Sequence, residues 1–464
     1  MSDIILNTNV QTFAPDLMDE ARLFAEYLNG ADIFVNADIS DSLRAEVKVG
    51  NSVRSFQSST PQGDALEIKR LTKRFLKLAL YDSLASYCGV GLPWGSLTGI
   101  RPTKLAYDYF SSGGSADSIA EYLTNAFRVS EKKANTIQKI INVQSKYVHD
   151  IKNGVNLYVH VPFCDGRCYY CSFPSADVNK NSAYLAPYVT KLAEEIREVV
   201  KLIKEQGKRI LSIYVGGGTP SVLDAKMIAE LLTAIDSNGV EFTFEAGRPD
   251  SITAEKLSVL KEYGVTRVCV NPQTLNNETL ARIGRKHTAE MFYNVYESAK
   301  SYGFDLNTDI IAGLDGESVD EFKRTIDQIA SLRPENVTVH TLSRKRGSVI
   351  AENDLKIFCA DIAQMTDYAY EIFSSDYNPY YLYRQKYMVG NLENIGFSLP
   401  CKECVNNITV MEEMASVYAC GAGSISKLVT NGAIHRHASV KDVKLYLNEF
   451  DTRLNSKLAF LCEK

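Results

Sequence analysis

From about residue 155 to residue 341, short β-branched runs alternate with longer amphipathic stretches, and no other feature of the chain restricts its fold as much. The runs are Leu157–Val161, Ile210–Val215, Glu241–Glu245, Thr266–Val270, Leu306–Ile311 and Asn336–Thr341. Helical patterns fill the gaps over Tyr184–Lys204, Ala225–Ile235, Ala254–Glu262, Ala289–Tyr302 and Ser318–Ser331. Strand, helix, strand repeated this way predicts right-handed crossovers and a mostly parallel sheet. Six such strands suit a (β/α) barrel or partial barrel, and a doubly wound sheet satisfies the same pattern. Both place ligands at the C-terminal ends of the strands.

The flanks differ in pattern. Residues 1–150 are expected to form a separate α/β domain, with strands at Ile33–Val35 and Ala45–Val49 and helices over Asp64–Tyr87 and Asp117–Tyr147. Between those helices, the Gly and Pro of Gly91–Lys104 forbid a long regular element, and the segment holds the only tryptophan, Trp94. Trp94 is either a packing anchor or part of a surface facing the second domain's active site. Residues 151–350 are assigned to the barrel and 351–464 to a C-terminal extension: a helix over Asn353–Ser374, a tyrosine-rich extended segment and a mixed α/β tail. With 45% hydrophobic and 23% charged residues, the 464-residue chain excludes a disordered, fibrous or disulfide-scaffold protein. A formal charge of −5 offers no global field for nucleic acid or anionic lipid. The first twenty residues turn polar at once and no apolar run approaches ~18 residues, so a cytoplasmic protein without membrane or nucleic-acid partners is expected. In that reducing setting the 10 cysteines point to metal, redox chemistry or burial before disulfides.

The first run leads directly into Val161-Pro162-Phe163-Cys164-Asp165-Gly166-Arg167-Cys168-Tyr169-Tyr170-Cys171. Three cysteines at i, i+4 and i+7 would also share one helix face, but Pro162, Gly166 and the preceding strand argue for a loop. Zinc would need a distant fourth ligand, whereas three thiolates suit a [4Fe–4S] cluster with one iron left open. Gly216-Gly217-Gly218-Thr219-Pro220 follows the second run, where missing Cβ atoms let the backbone approach a ligand. Glu245, Asn271, Gln273, Asp309 and His340 stand at or near later strand ends, and Gly284-Arg285-Lys286-His287-Thr288 adds a cationic cluster.

The cysteine spacing, with Tyr170 before the last thiol, and the glycine segment one strand later resemble the radical S-adenosylmethionine (SAM) superfamily. Leu157–Cys164, Glu245–Asp250, Asn271–Thr274 and Arg282–Thr288 look like motifs of its oxygen-independent coproporphyrinogen III oxidases (coproporphyrinogen dehydrogenases). Leu92–Gly95, Thr98–Lys104, Tyr381–Lys386 and Gly390–Asn394 resemble segments of the HemZ branch. The resemblance implies a radical SAM partial (β/α)6 barrel with an N-terminal α/β region and a C-terminal mixed α/β extension. It implies one [4Fe–4S] cluster on Cys164, Cys168 and Cys171. SAM contacts would come from Tyr158, Gly217, Gly218, Thr219, Glu245, Gln273, Arg285 and Asp309, with Tyr158, Glu245 and Asp309 in catalytic positions. Arg344, Lys345, Arg346, Arg384 and Lys386 would meet the propionates of a tetrapyrrole, and Tyr377, Tyr380, Tyr381, Tyr383 and Tyr387 would pack on pyrroles, unless they form a solvated basic face and an aromatic core. The implied activity is oxidative decarboxylation of coproporphyrinogen III to protoporphyrinogen IX in haem biosynthesis. An electron donor of flavodoxin or ferredoxin type and a monomeric state are also implied. Competing readings are a haem-binding chaperone of the same family and a radical SAM enzyme that modifies or degrades haem. Leu314-Asp315-Gly316 and Cys401 depart from the usual motifs. Cys401-x-x-Cys404, with Cys420 downstream, leaves room for a second cluster or a redox dithiol. Cys88, Cys269, Cys359 and Cys462 are expected to be buried hydrophobes or incidental thiols.

Overall fold

The computed structural model describes residues 4–40, 42–99, 101–148, 151, 153–173, 175–343, 359–385, 388–430 and 433–462. They divide into two compact units: one holds the chain up to Gln138 together with Arg384 and Gly390–Leu392, the other the remainder from Lys139 onward.

In the first unit, strands Leu6–Thr8, Ile33–Asp38, Leu43–Val49 and Ser52–Ser58 form a sheet in that order. Alternation along the third strand buries Leu43, Ala45, Val47 and Val49 and exposes Arg44, Glu46 and Lys48. The buried face packs with helices Ala14–Ala21 and Ala65–Cys88. Asp64 caps the longer helix by accepting from Glu67 N–H, and left-handed Gly89 ends it. The single helix expected over Asp117–Tyr147 is instead two, Ile119–Phe127 and Glu131–Val148. The break occurs because Ser96 N–H donates to Phe127 O while Ser130 N–H donates to Pro93 O, which turns Arg128 to φ 60°. A Cβ on Gly95 would lie 2.0 Å from Phe127 O, so this close approach needs glycine. Trp94 is fully buried, as a packing anchor.

The second unit contains an eleven-stranded sheet. Its centre is six parallel strands, Gly154–Val161, Arg209–Gly217, Glu241–Gly247, Arg267–Val270, Asp305–Ala312 and Asn336–Thr341, lying side by side in chain order. A doubly wound sheet reverses its strand order at a switch point; this one does not, which is the single winding of a barrel. The barrel is partial, because the first and sixth strands pair elsewhere. Ser416–Cys420 adds in parallel to the first strand, followed by Ile425–Thr430 and Ala433–Ala438. Asn394–Ser398 and then Asn378–Tyr383 add antiparallel beyond the sixth. The tyrosine-rich segment and the tail are thus built into the barrel sheet.

Helix Val405–Met411 packs at the N-terminal ends of the strands. Glu241, first residue of the third strand, accepts from Val405 N–H (2.9 Å) and Asn406 N–H (3.1 Å), an anion at a helix N-terminus. Arg267 donates to Glu241 at 2.6 Å and to Lys402 O at 2.8 Å. Burial and the Glu241 charge push the Cys404 thiol up to about 12, while Cys401 is exposed. Among the described residues no helix is long and apolar enough to cross a membrane. Residues 359–373 are helical, as expected. The expected helical positions 353–358, with Arg344, Lys345, Arg346, Lys386 and Tyr387, lie outside the described residues.

Candidate active site at the C-terminal ends of the parallel strands

Two-residue alternation puts Tyr158 and His160, Tyr214 and Gly216, Thr243 and Glu245, Asn307 and Asp309, and Thr338 and His340 on one face of their strands. Tyr158 stands opposite Tyr214 with the rings stacked at 6.1 Å. Glu245 reaches over Gly216, where an added Cβ would come within 2.6 Å of Oε2. Burial, then the nearby Asp309 charge, push the Glu245 carboxyl up to about 7, against hydrogen bonds from Gly217 N–H and Tyr214. Burial would raise Asp309 as well, but His340, Asn307 and Thr338 hold it below the usual carboxylate range. Its oxygens accept from Asn307 Nδ2 and Asn271 Nδ2, both at 2.9 Å, with His340 Nε2 3.6 Å away. Tyr383 Oη lies 3.4 Å from His340 Nδ1. Two neighbouring carboxyls are therefore shifted in opposite directions, an arrangement suited to acid–base or cation-binding work.

The cysteine loop leaves the first strand through Phe163–Cys164, which pairs with Ala176–Asp177. Thr219 N–H donates to Phe163 O (2.7 Å) and Gly218 N–H to Val161 O (2.8 Å), so the glycine segment is stitched directly to the loop. A Cβ on Gly218 would lie 2.3 Å from Phe163 O, and Gly217 sits at φ +119°. Cys164 Sγ is 3.2 Å from Thr219 Oγ1. From the other side, Tyr169 N–H donates to Ile283 O and buried Arg285 donates to Tyr170 Oη at 2.9 and 3.2 Å. The three thiols carry no disulfide, and Cys171 is raised by burial first and then by the charges of Cys168 and Cys164. Gln273 adopts φ 70°, pairs with Ile310, and buries Oε1 without a hydrogen-bond partner; Asn307 Oδ1 is likewise unpaired.

All the sequence-assigned cofactor positions, Tyr158, Gly217, Gly218, Thr219, Glu245, Gln273, Arg285 and Asp309, thus sit with Cys164, Cys168 and Cys171 at one end of the sheet. Three thiols free of disulfides, a glycine segment packed against the cysteine loop and unpaired buried acceptors at Gln273 and Asn307 fit a cluster with a polar cosubstrate beside it. Among the described residues, no three His, Cys, Asp or Glu side chains converge as on one ion; each thiolate of a four-iron cluster binds its own iron. Arg384 is placed differently from the propionate contact expected of it. It is buried in the first unit, 4.8 Å over the Trp94 ring, donating to Leu97 O (3.0 Å) and to Asn391 O and Oδ1 (2.9 and 2.6 Å). Tyr377, Tyr380 and Tyr381 are the aromatic-core alternative: all are buried, with hydroxyls bonded to Pro334 O, Asn407 and Thr338.

Sequence reasoning missed three supports of the site. Arg248 donates into the cysteine loop at Asp165 O. His160 Nδ1 bonds Ala422 O, from the loop after Ser416–Cys420, and Tyr188 Oη donates to His160 O. The one available signal was Gly421-Ala422-Gly423, whose first glycine would bring a Cβ 2.4 Å from His160 O.

Residues 158–329 match the radical SAM superfamily. Among solved structures, the coproporphyrinogen III oxidase HemN of Escherichia coli, a radical SAM enzyme, shares the fold, with a TM-score of 0.52 at 20% identity over 67% of this chain and 73% of that one. The oxygen-independent coproporphyrinogen-III oxidase-like protein HemZ of Bacillus subtilis is 34% identical over 98% of this chain and 95% of its own. The heme chaperone HemW of Lactococcus lactis is 30% identical over 63% of this chain and 76% of its own. The fold and the cysteine loop are those of a radical SAM protein, a class that uses a [4Fe–4S] cluster and SAM. Within that class the chain belongs to the oxygen-independent coproporphyrinogen-III oxidase-like family.

Proposed function

We propose that the protein converts two propionates of coproporphyrinogen III to vinyl groups, giving protoporphyrinogen IX, in the cytoplasm and with a flavodoxin- or ferredoxin-type donor. When bound, the cluster and SAM would supply hydrogen-abstracting radical chemistry at the β-carbon of a propionate, and loss of carbon dioxide with transfer of one electron to an external one-electron acceptor would leave the vinyl group. Cys164, Cys168 and Cys171 hold the cluster in this reading. Tyr158, Gly217, Gly218, Thr219, Gln273 and Arg285 position SAM. Glu245, with its carboxyl near 7, gives up its proton when an ammonium group approaches, and thereby binds it as an ion pair. Asp309 stays ionised, oriented by Asn271, Asn307 and His340. Arg344, Arg346 and Lys386 are the cations proposed for the propionates.

The observation that carries this reading is the gathering of three thiols free of disulfides, Gly216–Thr219 and two carboxyls shifted in opposite directions at one end of the sheet, in a chain similar to HemZ over 98% of its length. Similarity to HemW favours haem binding as the second reading. Against it, Tyr383–Asn391 contains no histidine to ligate haem iron. Anaerobic incubation of reduced protein with SAM and either coproporphyrinogen III or haem, followed by product mass, tests the choice. Vinyl formation is expected. Tight haem retention without turnover, or a methylated or opened haem, would replace the oxidase reading.

A further inference from the structure

Arg248 is 2% exposed, and a buried guanidinium is costly unless its charge is paired and its donors are used. Asp250 pairs it with two bonds, Nε to Oδ1 at 3.2 Å and Nη2 to Oδ2 at 2.8 Å. Arg248 Nη1 donates to Asp165 O at 2.8 Å, inside the cysteine loop. The Asp165 carboxylate is in turn gripped by Lys286 Nζ at 2.8 and 2.9 Å. Gly166 follows at φ +80°, and two residues later comes Cys168, the most buried of the three thiols. The turn into Cys168 is therefore fixed from below through a carbonyl and from the solvent side through a carboxylate. Cys168 also lies within electrostatic reach of the Arg248 and Arg285 guanidiniums.

We infer that Arg248 is a positioning residue for the cluster: it orders the turn into Cys168 and holds a fixed positive charge beside that thiolate, with Asp250 setting how much of the charge the cluster feels. A nearby cation favours the more negative, reduced cluster, and an anion opposes it. The inference rests on the superfamily's cluster and is independent of which tetrapyrrole is turned over.

The test is a redox titration of the anaerobically reconstituted full chain. Dithionite with mediator dyes supplies the single electron of the [4Fe–4S] 2+/1+ couple, and the paramagnetic resonance of the reduced form is followed. At the wild-type midpoint, Arg248→Met should lower the reduced-to-oxidised ratio about tenfold, equivalent to about 59 mV for one electron. Asp250→Asn should raise the ratio several-fold, and Arg248→Lys, which keeps the charge and loses the two-pronged grip, should fall between Met and wild type. Opposite shifts from two contacting residues are not produced by loosened packing alone. Ratios within twofold of wild type in both Arg248→Met and Asp250→Asn, or shifts of the same sign, would overturn the inference. If Arg248→Met takes up no iron, Asp250→Asn decides on the same scale: a rise supports the inference and an unchanged ratio overturns it. Failure to turn over coproporphyrinogen would leave these ratios unaffected.

Discussion

At the N-terminal ends of the parallel strands, Cys404 lies 3.3 Å from Glu241 Oε1, beneath a helix whose first N–H groups the same carboxylate accepts. At the C-terminal ends, Cys164 lies 3.2 Å from Thr219 Oγ1, among glycines, two further thiols and a carboxyl with a pKa near 7. Cysteines at short spacing and buried carboxylates occur at both ends. The difference is in what surrounds them. Below, Glu241, Arg267, Asp305 and Lys402 pair with one another and with the cap of a helix, with Arg267 Nε alone among their contacts left unpaired, and Cys404 is kept protonated. Above, missing Cβ atoms let Gly216, Gly217 and Gly218 pack tightly against Glu245, His160 and Phe163, and Gln273 Oε1 is buried without a hydrogen-bond partner. One end ties elements together through ion pairs and a helix cap, and the other gathers thiols, glycines and two carboxyls shifted in opposite directions, the division expected of a barrel.

The largest expected effect separates the two ends outright. Cys168→Ala should abolish reductive cleavage of SAM, a loss of about a thousandfold or more in 5′-deoxyadenosine formed, since the cluster loses a ligand. Cys404→Ala should leave that rate within about twofold, because its thiol is inert. Next, Glu241→Gln leaves the buried Arg267 charge with only the longer Asp305 contact at 3.7 Å and weakens the cap of Val405–Met411; unfolding free energy in urea should fall by about 3 kcal/mol. Iron content of the folded fraction should not change.

A smaller effect carries a sign. Glu245 has its folded pKa raised from 4.5 to about 7, so between those values the folded state binds more protons than the unfolded one. Stability from this group is therefore fully present below 4.5, falls as pH rises toward 7 and is lost above it, by about 3 kcal/mol in all. Glu245→Gln should flatten that part of the stability profile measured on the cofactor-free protein. The smallest effect is expected at Cys401, exposed at φ 64°: Cys401→Ser should change neither iron content nor midpoint of unfolding measurably.

The six parallel strands and the cysteine loop were legible because each leaves a local trace: β-branched runs at crossover spacing, and thiols immediately after a strand. The boundary of the helix over 117–147 was not, since Ser130 before Glu131 becomes a break only when Pro93 and Ser96 claim the neighbouring backbone groups. Arg384 sits in a cationic, tyrosine-rich stretch that suits an anionic substrate equally well, and only tertiary packing shows its stacking on Trp94 and its bonds to carbonyls. Arg248 was passed over because its partner Asp165 lies 83 residues away in the chain. The structural use of Cys404 depends on Glu241, 163 residues away, for the same reason.

Iron counting on anaerobically reconstituted protein tests the division between the two ends most directly. About four irons per chain are expected in the wild type and in the Cys401→Ser, Cys404→Ser double variant, and essentially none in Cys168→Ala. About eight irons in the wild type, or a cluster that survives in Cys168→Ala and disappears from the double variant, would contradict the account.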